Sequence, residues 1–157
     1  MRPVFKRLTI LAVLLGALAF TGCTTPEAQF PTFTNDARKA VGLGPLSTEP
    51  PGGTQIYNRA RDHAQAMCNS GRIYHSALSS HYQPVGAWKS LGENVGQVGW
   101  NQADQASWSG STNALWNAFM NSASHKANIL GNWNFQVVAQ VVCGDGRIYV
   151  THVFLRY

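Results

Sequence analysis

Ser122-Ala123-Ser124-His125-Lys126-Ala127-Asn128-Ile129-Leu130 is the most informative stretch of this chain, and Tyr74-His75-Ser76 and Gly92-Glu93-Asn94-Val95 precede it. Each stretch places a His or a Glu within a few residues of apolar side chains. Burying a carboxylate or an imidazole is unfavourable unless the group hydrogen-bonds to another polar group or to a ligand. The three stretches together therefore predict a polar cavity that holds His75, Glu93 and His125.

The order and wording of these stretches resemble the CAP superfamily, which includes cysteine-rich secretory proteins, antigen 5 and plant pathogenesis-related class 1 proteins. A lone His is more often structural than functional, and Gly-Glu-Asn alone can be a turn, so the order of the motifs carries the resemblance. The pattern Asn35-x-x-Arg38-x-x-x-Gly42-Leu43-x-Pro45-Leu46 is similar to the family's opening helix. The resemblance covers residues 33–157 and implies an α+β fold, a three-layer α-β-α sandwich of the SCP-domain type.

The resemblance also implies a central cleft, in which the family places two His and two Glu. His75, Glu93 and His125 match three of these positions by motif, whereas aligning Phe119 with a family Trp puts Ser122 where the second acid would lie. We therefore predict a cleft of these four residues and assign none of them as catalytic. His75 and His125 are the predicted metal ligands. Because a structural zinc site usually has four protein ligands, we expect at most a weakly bound Zn²⁺ or similar divalent ion.

Two classes of function stay open. The first is a non-enzymatic binding or signalling module that holds a lipid, a small apolar ligand, a metal or an envelope protein, as the family's reported sterol and fatty-acid binding implies. The second is a metal-assisted hydrolase or peptidase acting on envelope material, with Glu93 as its base and Ser76 or Ser122 as nucleophile. Hydrolysis needs an activated nucleophile, a base and an oxyanion partner. The absent second acid favours the binding module.

The N-terminus reads as an export signal. Arg2, Lys6 and Arg7 precede an apolar run, Leu8 to Phe20, that is shorter than a membrane-spanning helix requires. Thr21-Gly22-Cys23 then resembles a bacterial lipobox. We expect residues 1–22 to be a lipoprotein signal peptide, Cys23 to carry the lipid, residues 23–32 to be a tether, and the protein to be anchored to the membrane. The alternative is an ordinary secreted protein.

The remaining cysteines and the net charge indicate the redox compartment of the protein and the class of partner that it binds. With Cys23 acylated, Cys68 and Cys143 are left in an oxidising compartment, where a disulfide forms readily; two separate buried thiols are the alternative. The formal net charge is +5, but removal of the basic signal segment would leave nine basic and seven acidic residues. The sequence has no dense basic run, so we do not expect nucleic acid as a partner.

Periodicity predicts the main elements. A short helix over residues 37–41, a second over 54–69 and a last helix over 112–121 precede two strands, 135–143 and 147–155, joined by a Gly-Asp-Gly turn. His152 falls on the last strand as a buried hydrogen-bonding residue or a cleft residue, and we favour the former. His63 and His81 are predicted at the surface. The predicted inward-facing helical residues are Ile56, Ala60, Ala64, Met67, Ala114, Leu115, Ala118 and Phe119.

Overall fold

The computed structural model describes residues 25–83, 87–99 and 106–157, with side chains in the last range from residue 110 onward. The predicted signal peptide and Cys23 lie outside the described residues. Five helices and three strands are present in this part of the chain: α1 Pro26–Ala40, α2 Gly53–Ser70, α3 Leu78–Tyr82, β1 Ser90–Gly99, α4 Ala106–Asn121, α5 Ala123–Ile129, β2 Phe135–Val142 and β3 Arg147–Arg156.

The strands form one antiparallel sheet in the order β1-β3-β2. The β2-β3 hairpin is as predicted, and Gly146 adopts a positive φ of 77° in its turn. Strand β1 was not predicted, because its Gly-Glu-Asn segment reads equally well as a turn. In the sheet, Glu93 pairs with Val153 and Asn94 pairs with His152. The fold is therefore α+β, as predicted, and β1 carries the Gly-Glu-Asn motif beside the central strand.

Helices cover both faces of β3. Val150 and Phe154 pack with Phe30 of α1, Phe119 of α4 and Ile129 of α5. Alternate residues point the other way, so Val153 and Leu155 pack with α2 through Ile56 and Ala60, and with Tyr82 at the end of α3. The predicted α2 stripe of four apolar residues is confirmed, since Ile56, Ala60, Ala64 and Met67 are all fully buried.

Helix α1 is longer than predicted and corrects the predicted tether. It begins at Pro26, and its N-cap residue Thr25 accepts a hydrogen bond at Oγ1 from the Ala28 N–H at 3.3 Å. Pro at the first helical position supports this start because its missing N–H would have had no partner there. Phe30 is fully buried. Residues 26–32 are thus part of the packed domain, and the prediction of a tether is wrong for them.

Helix α4 begins earlier than predicted, at Ala106. Leu115 and Phe119 are buried as predicted, but Ala114 and Ala118 are exposed. Each exposed Ala lies one position before a buried residue. Because one position is about 100° of helix rotation, the Ala side chain lies outside the core-facing side of the helix.

A disulfide joins Cys68 of α2 to Cys143 beyond the end of β2, with 5.9 Å between the two Cα atoms. The predicted pairing is confirmed, and the bridge ties α2 to the sheet. No helix among residues 25–83, 87–99 and 106–157 combines the length and the apolar character needed to cross a membrane.

Candidate functional site

The carboxylate of Glu93 is the centre of the predicted cleft, and its side chain is fully buried. Oε1 accepts hydrogen bonds from His75 Nδ1 at 3.1 Å and from the Ser76 N–H at 2.9 Å. Oε2 accepts from Ser76 Oγ at 2.8 Å and from the Tyr82 hydroxyl at 3.4 Å. The acid therefore has four donors around it, two on each oxygen.

His75 is the exposed member of this pair, with 54 % of its side chain accessible. Because Nδ1 faces a carboxylate that can only accept, the neutral imidazole carries its proton on Nδ1 and its free lone pair on Nε2. A carboxylate that fixes the tautomer and orientation of an imidazole is the usual support for a metal-ligating His.

His125 lies on α5, with its ring 4.8 Å from that of Phe119. Its Nδ1 is buried and has no hydrogen-bond partner in the described part of the chain. Burial lowers the pKa of His125, and the charge of His75 lowers it further. His75 bonds the Glu93 side chain and the next strand residue, Asn94, bonds the His125 carbonyl, so both histidines lie against the same part of β1.

Two asparagines of the motifs join α5 to β1. Asn94 Nδ2 donates to the His125 carbonyl at 3.0 Å. Asn128 Nδ2 donates to the Glu93 carbonyl at 3.1 Å and to Asn94 Oδ1 at 2.9 Å. These bonds hold the helix with the second His against the strand with the acid, which explains why the Gly-Glu-Asn and His-Lys-Ala-Asn stretches occur together.

Ser122 precedes α5, and its hydroxyl pairs with that of Ser124 at 3.2 Å. Within the described residues it makes no hydrogen bond to His75, Glu93 or His125. Its assignment to the cleft stays a prediction.

Sequence reasoning missed Tyr82, whose hydroxyl reaches the acid. Burial raises the pKa of Tyr82, and the nearby Glu93 charge raises it further, so the phenol stays protonated and donates. An aromatic residue in a polar loop was the only available signal.

The other histidines have structural roles. His152 is fully buried and hydrogen-bonds through Nε2 to Gln136 Oε1 at 3.0 Å, as favoured by the alternation of its strand. His63 was predicted at the surface, and that prediction is wrong: it is 5 % exposed, with Nε2 bonded to the Tyr74 carbonyl at 2.8 Å. His63 lies three residues after Ala60 and four before Met67, so helical periodicity places it beside the buried stripe and could have indicated its burial. His81 is partly buried and bonds the Arg59 carbonyl at 2.8 Å.

No group of three or more His, Cys, Asp or Glu in the described ranges could hold a metal ion. The predicted role of His75 and His125 as metal ligands therefore stays a prediction.

Comparison of the sequence with family models and with curated proteins finds no match. Solved structures do match. An outer surface protein from Borrelia burgdorferi superposes with a TM-score of 0.66 at 15% identity, covering 81% of this chain and 89% of that one. An extracellular SCP-domain protein from Bacillus anthracis gives a TM-score of 0.61 at 19% identity, covering 84% and 40% of the two chains.

A cysteine-rich secretory protein from Staphylococcus aureus gives a TM-score of 0.59 at 20% identity, covering 88% of this chain and 41% of that one. The chain thus spans less than half the length of these last two proteins, which are similar to it in fold at low identity. The chain has the fold of the SCP/CAP-domain proteins, as its motifs predicted.

Proposed function

We propose that the chain is an exported binding module with the SCP fold, whose cleft takes a divalent cation weakly through His75 and His125 and is not a hydrolase. The observation that supports this best is the saturation of Glu93. Its two oxygens already accept four hydrogen bonds, and its side chain is fully buried.

A general base needs an open lone pair directed at the water or hydroxyl it deprotonates. The two Glu93 oxygens have no acceptor position left for a water, although Ser76, one of the two candidate nucleophiles, donates its hydroxyl proton to this same buried carboxylate. The acid therefore serves as the acceptor that orients His75. The hydrolase alternative, which uses Glu93 as its base, then has a base that is buried away from water.

The same hydrogen bonds prepare His75 as a ligand. Nε2 carries the lone pair on a ring that is half exposed, and a buried carboxylate holds the ring from behind. His125 offers a second imidazole in the same region, with a buried Nδ1 left without a partner among the described residues. A cation bound by two imidazoles completes its coordination with water, so we expect an exchangeable site.

Export, lipid anchoring and the layer arrangement of the fold are also part of the proposal. Export is supported by the outer-surface and extracellular proteins of the same fold, and lipid anchoring by the Thr21-Gly22-Cys23 segment. The three-layer α-β-α arrangement is supported by helices on both faces of β3. Cys23→Ala should move the protein from the membrane to the soluble fraction or stall its processing. A variant that is processed normally and stays with the membrane would contradict the anchor.

Titration calorimetry with Zn²⁺ tests the cleft. His75→Ala and His125→Ala should each weaken binding by about tenfold or more, the equivalent of ~1.4 kcal/mol. His81→Gln is the control, because His81 bonds a backbone carbonyl and makes no hydrogen bond to His75, Glu93 or His125 among the described residues. Equal binding by all four proteins would remove the metal site. Zn²⁺-dependent cleavage of a peptide or ester that Glu93→Gln abolishes would overturn the binding-module assignment.

A further inference from the structure

Arg38 is a buried cation without an acidic partner in the described part of the chain. It lies near the end of α1 and is only 4 % exposed. The ion pairs present among the described residues involve other groups, His75 with Glu93 and Arg147 with Asp145. A buried charge is unfavourable unless it is paired or well hydrogen-bonded.

Backbone carbonyls accept hydrogen bonds from part of this guanidinium group. Nε donates to the Gly44 carbonyl at 2.8 Å, and Nη1 donates to the carbonyls of Ile129 at 3.1 Å and Gly131 at 2.7 Å. These bonds tie α1 to the loop that follows it and to the C-terminal end of α5. They use three N–H groups, and no described contact takes Nη2, which offers two more.

Arg38 also lines a cavity of about 440 Å³. Leu43, Pro45, Leu130 and Trp133 supply apolar walls, and Asn132 and Asn134 supply side-chain amides. Asn134 Oδ1 already accepts the Tyr157 N–H at 3.2 Å, so its Nδ2 is the group left to donate. None of the four predicted cleft residues lines this cavity, which makes it a second and separate site.

We propose that this cavity binds a small monocarboxylate with an apolar body. The charge selects the class of anion, since Arg38 is the only cation among the described residues that line the cavity and balances one negative charge rather than the two of a phosphate monoester. The side-chain amides and the free guanidinium N–H groups are donors for a carboxylate. The apolar walls, including the Trp133 ring, favour an aromatic or aliphatic body, and the volume is that of a small-ligand pocket.

This site also gives a function to the Asn35-Arg38-Gly42-Leu43-Pro45-Leu46 pattern, which the His cleft leaves unused. Asn35 holds the loop in place, because its Oδ1 accepts the Leu46 N–H at 2.8 Å and its Nδ2 donates to the Leu46 carbonyl at 3.2 Å. The same loop carries Leu43 and Pro45 to the lining of the cavity. The motif thus supplies both the charged group and part of the apolar lining.

NMR titration of ¹⁵N-labelled protein with benzoate, benzamide and inorganic phosphate tests the proposal. Benzoate should give saturable shifts of the Trp133 indole N–H and of the Asn132 and Asn134 side-chain amides. Benzamide, which has the same ring without the charge, should bind about tenfold more weakly or worse, the equivalent of ~1.4 kcal/mol or more. Equal binding of benzoate and benzamide, tighter binding of phosphate, or no saturable shift would overturn the proposal.

Substitution of the buried Arg38 could unfold the protein, so the matched variants change other residues and leave Arg38 in place. Leu43 is 39 % exposed and lines the cavity, so Leu43→Glu places a competing carboxylate beside the guanidinium. Val41→Glu is the matched control, since Val41 is 59 % exposed and lies outside the lining. Benzoate affinity should fall about tenfold in Leu43→Glu and stay within about twofold in Val41→Glu. Equal affinities in the two variants would show that Arg38 is only a structural tie.

Discussion

The His75 imidazole and the Glu93 carboxylate share a 3.1 Å hydrogen bond in which the acid is fully buried and the imidazole is half exposed. The bond therefore points from the protein interior to the surface, with the charged acceptor behind and the free ring nitrogen in front. Because the carboxylate is buried and the imidazole is accessible, Glu93 supports His75 rather than acting on a substrate itself. This role of Glu93 can be tested by measuring protein stability as well as metal binding.

Glu93→Ala should destabilise the protein by about 2 to 4 kcal/mol, because the partly buried Ser76 N–H and its neighbouring donors lose their acceptor. Glu93→Gln should cost less than Glu93→Ala, since its remaining oxygen can serve the Ser76 N–H while the Ser76 and Tyr82 hydroxyls rotate to accept from the new amide. Equilibrium unfolding in urea measures both. Equal losses in the two variants would mean that the hydrogen-bond network contributes little beyond the packing of the side chain.

The affinity of the cleft for Zn²⁺ should fall at pH values below about 6.5, the reference value for His, because a protonated imidazole has no lone pair for a metal. Burial lowers the pKa of His125, so this residue stays neutral and competent to bind at pH 7. Calorimetry at several pH values should also detect proton release on binding below this point. A pH-independent affinity would point to ligands other than histidine.

Removal of the Cys68–Cys143 disulfide should reduce the free energy of unfolding by about 2 to 4 kcal/mol, because the unfolded chain regains the freedom of a long closed loop. The double variant Cys68→Ser and Cys143→Ser, unfolded in urea, measures the effect. Reduction of the wild type by dithiothreitol should give a similar loss, whereas the double variant should not respond to the reductant.

Gly96 has no room for a side chain. A Cβ there would lie 2.7 Å from Leu115 Cδ1 and 2.9 Å from Phe119 Cε1, so Gly96→Ala should destabilise the protein by about 1 to 3 kcal/mol through overpacking of α4 on β1. Gly99→Ala is the control on the same strand, since a Cβ at that position meets no described atom within 4 Å. Its effect should stay within about 0.5 kcal/mol. Thermal unfolding of both variants makes the comparison.

The elements with a regular pattern could be predicted from the sequence. The α2 stripe and the β2-β3 hairpin follow from spacing and turn residues, and both are confirmed. Strand β1 could not be predicted this way, because Glu93 and Asn94 interrupt its apolar character and are buried only through partners far along the chain. Their burial depends on Ser76, Tyr82 and Asn128, which the fold brings to them.

The start of α1 shows a second limit. Residues 26–32 contain two prolines and mostly polar or small side chains, which resemble a tether, and Phe30 alone signals the core. Its burial against Trp116 and Phe119 is a long-range packing event that local composition does not encode. The burial of His63 is a different case, because its spacing from Ala60 and Met67 indicated a buried position and only its partner, the Tyr74 carbonyl, lies outside its helix.

His152 should make the fold acid-sensitive. Desolvation by burial lowers the pKa of His152 to about 3, whereas in the unfolded chain it titrates at about 6.5. Between these values the unfolded state binds a proton that the folded state does not, so stability present above pH 6.5 is lost as the pH falls, by roughly 1 kcal/mol per unit. His152→Gln retains a polar group opposite Gln136 and removes the titration. Urea unfolding from pH 7 to pH 4 should therefore show a shallower decline in this variant than in the wild type and in the His81→Gln control. Parallel declines in all three proteins would mean that His152 is protonated in the folded state.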